Sequence, residues 1–366
     1  MSTDRFAIRR SKLLRSLRRH RVDGLLVTNS TNVTYLTGFT GGDSFLLVGQ
    51  KRAILISDGR FAVQIGEECP DLEVEIRPSL ETIVEATARV AKSLKLTRLG
   101  FESNSTTVQQ FESLQQQIKS LETVSVAAAV ENLRAIKDAE EVTEIRQAVI
   151  QAQRGFDVLR ASLTGDMTEL ESAHLLEHAM RRFGALRASF EPIVAVGSRA
   201  ALPHCRPSEH RLCEASLVLI DWGASNGRGY KSDLTRVLAT GKISTKLSKI
   251  YRVVLRAQLQ AIEAIRPGVR GCDVDAVARS IIEEAGYGKN FGHGLGHGIG
   301  LDIHEMPRLS PAGDSELKAG MVVTVEPGIY LPGWGGVRIE DDVLVTRNGC
   351  EVLSSVPKNL QDIVLG

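Results

Sequence analysis

The chain has 366 residues, enough for two domains, and its 43% hydrophobic and 24% charged content is that of an ordinary globular protein, not a disordered or fibrous one. A net charge of +1 gives no global field for nucleic acid or an anionic membrane. No apolar run is long enough to span a bilayer.

At the N-terminus the spacing of Leu13, Leu14 and Leu17 predicts a helix over 4–20, with its many arginines as the solvated face. Neither an apolar signal core nor a serine-rich arm accompanies those arginines, so a targeting role is not expected. Apolar strands follow at 24–28, 45–48 and 53–57, punctuated by Gly41-Gly42 and Asp58-Gly59. Helical stretches near 80–94 and 106–118 flank a short strand at 98–101. That alternation is an α/β layout. Five scattered cysteines (Cys69, Cys205, Cys213, Cys272 and Cys350) form no CxxC and suit a reducing, cytoplasmic setting.

Asp138, Glu140 and Glu141 place acid where a helix should begin. Val142, Ile145, Val149, Ala152, Phe156 and Leu159 then recur every three or four residues, as one apolar stripe. The domain boundary is expected just before this helix, giving domains 1–133 and 134–366. A second helix, over 168–183, carries His174-Leu-Leu-Glu177-His178. This matches an inverted zinc-protease motif. The histidines fall on the polar side, opposite Leu176, Met180 and Phe183, so a surface pair is expected rather than a metal site.

The second part contains an echo. Leu217-Val-Leu-Ile-Asp221-Trp-Gly223 and Val322-Val-Thr-Val-Glu326-Pro-Gly328 are both apolar strands ending in acid, one residue, then glycine. Asp233 follows Asp221 by 12 residues, and Glu340 follows Glu326 by 14. Two helical patterns precede each pair, over 138–183 and 245–285. The expected architecture is α/β (α+β), with a duplicated helix–helix–strand–strand unit in the second domain and four carboxylates in one central site.

Between the echoed pairs lies His293-Gly-Leu-Gly-His297-Gly-Ile-Gly-Leu-Asp-Ile-His304-Glu305. Every second residue from Gly292 to Gly300 is glycine. A helix would lose ~1 kcal/mol at each, so an extended segment is expected, with His293, Leu295 and His297 on one side. No P-loop or GxGxxG spacing is present. Buried carboxylates need a partner charge. Asp221, Asp233, Glu326 and Glu340 with His297 suit carboxylate-rich, thiolate-free binding of Mn, Co or Zn, with Mg as a further option.

These segments resemble the creatinase/aminopeptidase family with the pita-bread fold, in its Xaa-Pro peptidase branch. His293–Glu305 is similar to the branch's proline-peptidase signature. Asp221-Trp-Gly, Ser232-Asp-Leu-Thr-Arg236, Val325-Glu-Pro-Gly-Ile-Tyr330 and Val337-Arg-Ile-Glu-Asp-Asp342 resemble its metal-bearing segments. Tyr35-Leu-Thr-Gly-Phe39 and Asp58-Gly-Arg60 resemble its N-terminal creatinase-like domain. The resemblance implies two divalent cations, manganese first, held by Asp221, Asp233, His297, Glu326 and Glu340, with Asp233 and Glu340 bridging. It implies auxiliary roles for His204, His304, His293 and Arg338, with Glu326 as proton shuttle. It also implies a homodimer.

The implied reaction is hydrolysis of the bond before proline, in peptides with proline at the second position. Xaa-Pro aminopeptidase is the leading expectation and Xaa-Pro dipeptidase (prolidase) the alternative. A non-catalytic binding protein on the same fold would not be expected to keep all five ligands. A dipeptidase must also hold a carboxylate close to the metals, for which Arg308 and Arg338 are the candidates.

Overall fold

The computed structural model describes residues 5–119 and 121–365. The chain divides into two compact units, Met1–Arg134 and Ala135–Gly366.

In the first unit α1 (Arg5–Leu17) is followed by β1 (Gly24–Val27), α2 (Ser30–Thr37), β2 (Phe45–Gly49), β3 (Ala53–Asp58), α3 (Ala62–Glu68) and β4 (Glu73–Arg77). Next come α4 (Ile83–Ser93), β5 (Arg98–Glu102), α5 (Val108–Gln117), β6 (Glu122–Val126) and α6 (Glu131–Arg134). The strands form one mixed sheet, ordered β4-β3-β2-β1-β5-β6. Leu26, Leu47, Ile54 and Ile56 face Ala86, Val90, Ala91, Leu114 and Ile118 of α4, α5 and the turn after them. Their neighbours Leu25, Val27, Leu46 and Leu55 are buried too. Strands with both faces covered read as continuous apolar runs. No sequence expectation covers α2, α3, α6, β4 or β6. The two strands are edge strands with several exposed positions, so they lack the apolar signal such expectations rest on. Arg9 departs from the expected solvated face. It is buried, with its guanidinium 4.1 Å from the Tyr35 ring centroid.

The second unit opens with α7 (Ala139–Ser162) and α8 (Glu169–Arg182), each started by a capping box, Asp138 with Glu141 and Thr168 with Glu171. Then come β7 (Arg187–Ala188), β8 (Ile193–Val196), β9 (Val218–Trp222), β10 (Ala224–Ser225) and β11 (Leu234–Leu238). The second half of this unit has α9 (Thr245–Ala264), α10 (Gly271–Glu284), β12 (Gly296–Gly298), β13 (Glu305–Leu309), β14 (Val322–Val325), β15 (Gly328–Leu331), β16 (Gly335–Arg338), β17 (Asp341–Val345) and β18 (Cys350–Val352).

The echo is present in space. β9 pairs antiparallel with β8 and β11, and β14 pairs antiparallel with β12 and β17. Helices α7 and α8 cover Val218, Ile220 and Leu234. Their alternates Leu217, Leu219 and Val237 share a core with α9 and α10. Both faces of the first sheet are therefore dry along the strands that lead to Asp221. A bridge between Thr235 and Glu340, with Glu340 N donating to Thr235 O at 3.1 Å, joins the two sheets.

The glycine run is less regular than expected. Only Gly296–Gly298 is strand. Leu295 belongs to the apolar core rather than to the histidines' surroundings. A Cβ on Gly296 would lie 2.0 Å from Thr324 O, and one on Gly298 2.2 Å from Met306 O. Neighbouring strands, not a ligand, use the room left by these two glycines.

Candidate metal centre

Asp221 is the last residue but one of β9, and Asp233 and Glu340 stand immediately before β11 and β17. Glu326 follows β14 directly, and His297 is the middle residue of β12. Strand geometry aims them together. Asp233 and Thr235, Thr324 and Glu326, and Arg338 and Glu340 are each two apart and share a side. Asp221 lies directly opposite Thr235.

Among the described residues, Asp233, His297 and Glu340 offer ligand atoms that all lie within 4.8 Å of one another. His297 Nε2 is 3.4 Å from Glu326 Oε1 and 3.8 Å from Asp233 Oδ2. Its Nδ1 is 3.0 Å from Gly298 O, which keeps the proton there and leaves the Nε2 lone pair facing the carboxylates. Burial, then the neighbouring His304, lowers the His297 pKa to about 4, so the ring is neutral, as ligation requires.

The carboxylates are strained electrostatically. Burial and then repulsion from Glu340 and Asp221 push Asp233 well above the usual range. Burial and then Glu326 and Asp221 do the same to Glu340. Burial raises Glu326 to about 8. Asp221 is raised by burial despite the opposing Arg338. Asp221 Oδ1 and Asp233 Oδ1 are buried without a hydrogen-bond partner. Orphaned carboxyl oxygens beside a neutral imidazole are a donor set that fits hard or borderline divalent cations.

Arg338 is buried beneath them. It pairs with Asp221 Oδ2 and donates to Thr235 Oγ1 (3.0 Å) and to Tyr330 OH (2.8 Å). It is thus fully committed, which removes it as a candidate for a substrate carboxylate. His293 does not reach the carboxylates. Its Nε2 is 2.8 Å from Tyr330 OH, so it joins Asp221 only through Tyr330 and Arg338. His304 is exposed, with its ring 4.4 Å from that of His297, edge to face. His204 is exposed and acts electrostatically on Asp221, His293 and His304.

Several residues the sequence reading passed over belong to this network. Thr235 Oγ1 donates to Glu340 Oε2 at 2.6 Å. Thr324 Oγ1 accepts from His297 N at 3.1 Å and donates to Glu326 Oε1 at 3.2 Å. Asp342 Oδ2 accepts from Asp233 N at 3.0 Å. Thr324 had a signal, a lone hydroxyl in an apolar strand. Tyr330 had none of its own. His174 and His178 are exposed on α8, and Glu177 between them pairs with Arg181.

Fold and site define a metallopeptidase. The metallopeptidase family M24 matches residues 143–347, and the creatinase/prolidase N-terminal domain matches 9–136. The chain belongs to that pita-bread family and is a hydrolase. An Xaa-Pro dipeptidase of Pyrococcus horikoshii is 34% identical, over 95% of this chain and 97% of that one. The structure of an Xaa-Pro dipeptidase from Bacillus anthracis matches with TM-score 0.94 and 39% identity, covering 98% of this chain and 100% of that one. An X-Pro aminopeptidase from Thermotoga maritima matches with TM-score 0.86 and 36% identity, covering 94% and 99%. No described helix is long and apolar enough to cross a membrane.

Proposed function

We propose that the protein is an Xaa-Pro dipeptidase, the alternative rather than the leading expectation from sequence. The observation that carries this reading is Arg308. It is exposed on β13, in register opposite His297, so both side chains leave the same face of the sheet. Its charge is felt at His304. A guanidinium there, with no side-chain partner among the described residues, suits the free carboxylate of a dipeptide. The dipeptidases of Pyrococcus horikoshii and Bacillus anthracis support the same choice, while the Thermotoga maritima relative favours an aminopeptidase.

Asp221, Asp233, His297, Glu326 and Glu340 would hold two divalent cations, manganese first, with cobalt or zinc as substitutes. Such cations supply Lewis acidity and acidify water toward neutral pH. The protein does the rest. The His304 pKa is lowered by burial and then by His204 and Arg308, so its neutral ring N–H donates to the scissile carbonyl as negative charge develops there. Glu326 carries a proton to the departing imide nitrogen. His204 borders the substrate, and His293 with Tyr330 steadies Arg338 and through it Asp221. Proline offers no N–H and a fixed φ, so recognition rests on ring shape and on its carboxylate. Residues 1–133 form the accessory domain and 134–366 the catalytic one. The five free cysteines suit a cytoplasmic enzyme. A homodimer completes the reading, and a sizing measurement tests it.

The decisive test compares hydrolysis of Xaa-Pro with Xaa-Pro-Yaa, with manganese and cobalt supplied separately. Arg308→Ala should raise KM for Xaa-Pro by about 10–100-fold, the worth of a charged hydrogen bond of ~1.5–3 kcal/mol. Faster turnover of Xaa-Pro-Yaa, with Arg308→Ala silent, would establish the aminopeptidase reading instead.

A further inference from the structure

Glu169 opens α8, and its side chain is completely buried. Its carboxylate accepts from Val196 N at 2.8 Å, from Arg199 Nε at 3.0 Å to both oxygens, from Ser208 N at 2.9 Å and from Ser208 Oγ at 2.7 Å. Val196 and Ser208 bracket the segment that carries His204. One carboxylate therefore ties together both ends of that loop.

The neighbouring backbone adds to the tie. Glu169 N donates to His210 O at 2.9 Å and Leu170 N to Ser208 O at 3.1 Å. Arg199 Nη2 reaches on to Arg206 O at 2.7 Å. The other flank of the loop rests on β16. A Cβ on Gly336 would lie 1.9 Å from Ala200 O, and one on Gly335 2.9 Å from Gly197 O. Leu202 and His204 are among the exposed residues between these anchors, with Ser198 and Arg206.

A buried ion pair is a weak reason for stability, because an apolar pair of the same shape often serves as well. What an apolar pair cannot do is accept four separate donors from two loop ends at once. We propose that Glu169, through Arg199 and Ser208, is the positioning residue for His204, holding it where it borders the substrate. This rests on the role given to His204 above. Misplacing a contact by about 1 Å costs up to about 10²-fold in rate.

A double-mutant cycle tests it, because residues acting through one another are not additive. Glu169→Gln keeps the volume and should leave metal content near the parent's, with a lower melting temperature because its amide offers one acceptor oxygen where the carboxylate offers two. It should lower kcat/KM about 10–100-fold, chiefly through KM. His204→Ala should lose a similar factor, and the double variant should be no worse than His204→Ala alone. If Glu169→Gln does not fold, Arg199→Met and Ser208→Ala each remove one arm, and their smaller losses should vanish in the His204→Ala background. Additive losses, lost metal, or parent activity in Glu169→Gln with His204→Ala impaired would overturn the clamp alone. Parent activity in His204→Ala would overturn the substrate role of His204, and the clamp with it.

Discussion

At the scale of single residues, Arg338 decides whether the site can exist. Its guanidinium pairs with Asp221 and holds Thr235 and Tyr330 in one plane of donors. Removing one partner of a buried pair leaves the other charge uncompensated, at a cost of about 3–5 kcal/mol. Arg338→Met is therefore expected to lower the unfolding free energy of the metal-free protein, read from urea titration, by that amount and to abolish activity. Arg338→Lys should not restore either, since an ammonium cannot reach three acceptors in a fixed fork. A Lys variant with parent activity would show that charge alone suffices. The sequence made Arg338 visible as a motif residue and offered Glu340, two residues on, as its partner. The register that puts Asp221 across from Thr235 makes Asp221 the partner instead.

Among the elements, β12 carries the largest constraint. It is three residues long and lies between β13 and β14. Its glycines let both neighbours close in. Gly296→Ala would drive a methyl to 2.0 Å from Thr324 O, so β12 must part from β14. Overpacking of this kind costs about 1–3 kcal/mol. The damage falls on Thr324, which links His297 to Glu326. The expected outcome is a lower melting temperature together with weaker metal retention, read by metal analysis after dialysis. Unchanged metal retention would mean that β14 can retreat without moving Glu326. A glycine pattern of this kind permits close approach. It could not say by what, because bare backbone invites a ligand and a strand equally.

For the whole molecule, the four acids place fold stability and metal binding under one control. Glu326 is raised from the ordinary 4.5 to about 8, and Asp233 and Glu340 lie well above their ordinary values. A carboxylic acid whose folded pKa is raised keeps its proton in the native state after the unfolded chain has lost it. Stability is then fully present below the unfolded value and falls as pH rises through the folded one. In chelator, the melting temperature is thus expected to fall between pH 4.5 and about 8, the window set by Glu326. Saturating divalent cation should reverse this toward neutral pH, because it binds the ionised acids of the native state alone. At 100 times Kd it should add about 2.7 kcal/mol. A metal-free protein whose stability is flat across that window would show that the acids share their protons differently.

The sequence by itself determined the alternation of apolar strands and amphipathic helices, the doubled helix–helix–strand–strand unit and the acids at its strand ends. These are local signals of period and spacing, and they survive folding because burial enforces them. It also separated the site from the HxxEH pair, since His174 and His178 fall on the polar side of a helix whose other side is apolar. Tertiary structure alone decided the pairings. Thr235 meets Glu340 across two sheets, Arg338 meets Asp221 rather than the glutamate beside it, and Tyr330 separates His293 from the acids. It also committed Arg338 and left Arg308 without an ion pair among the described residues. Such facts depend on register between strands a hundred residues apart, and no short-range pattern carries that information.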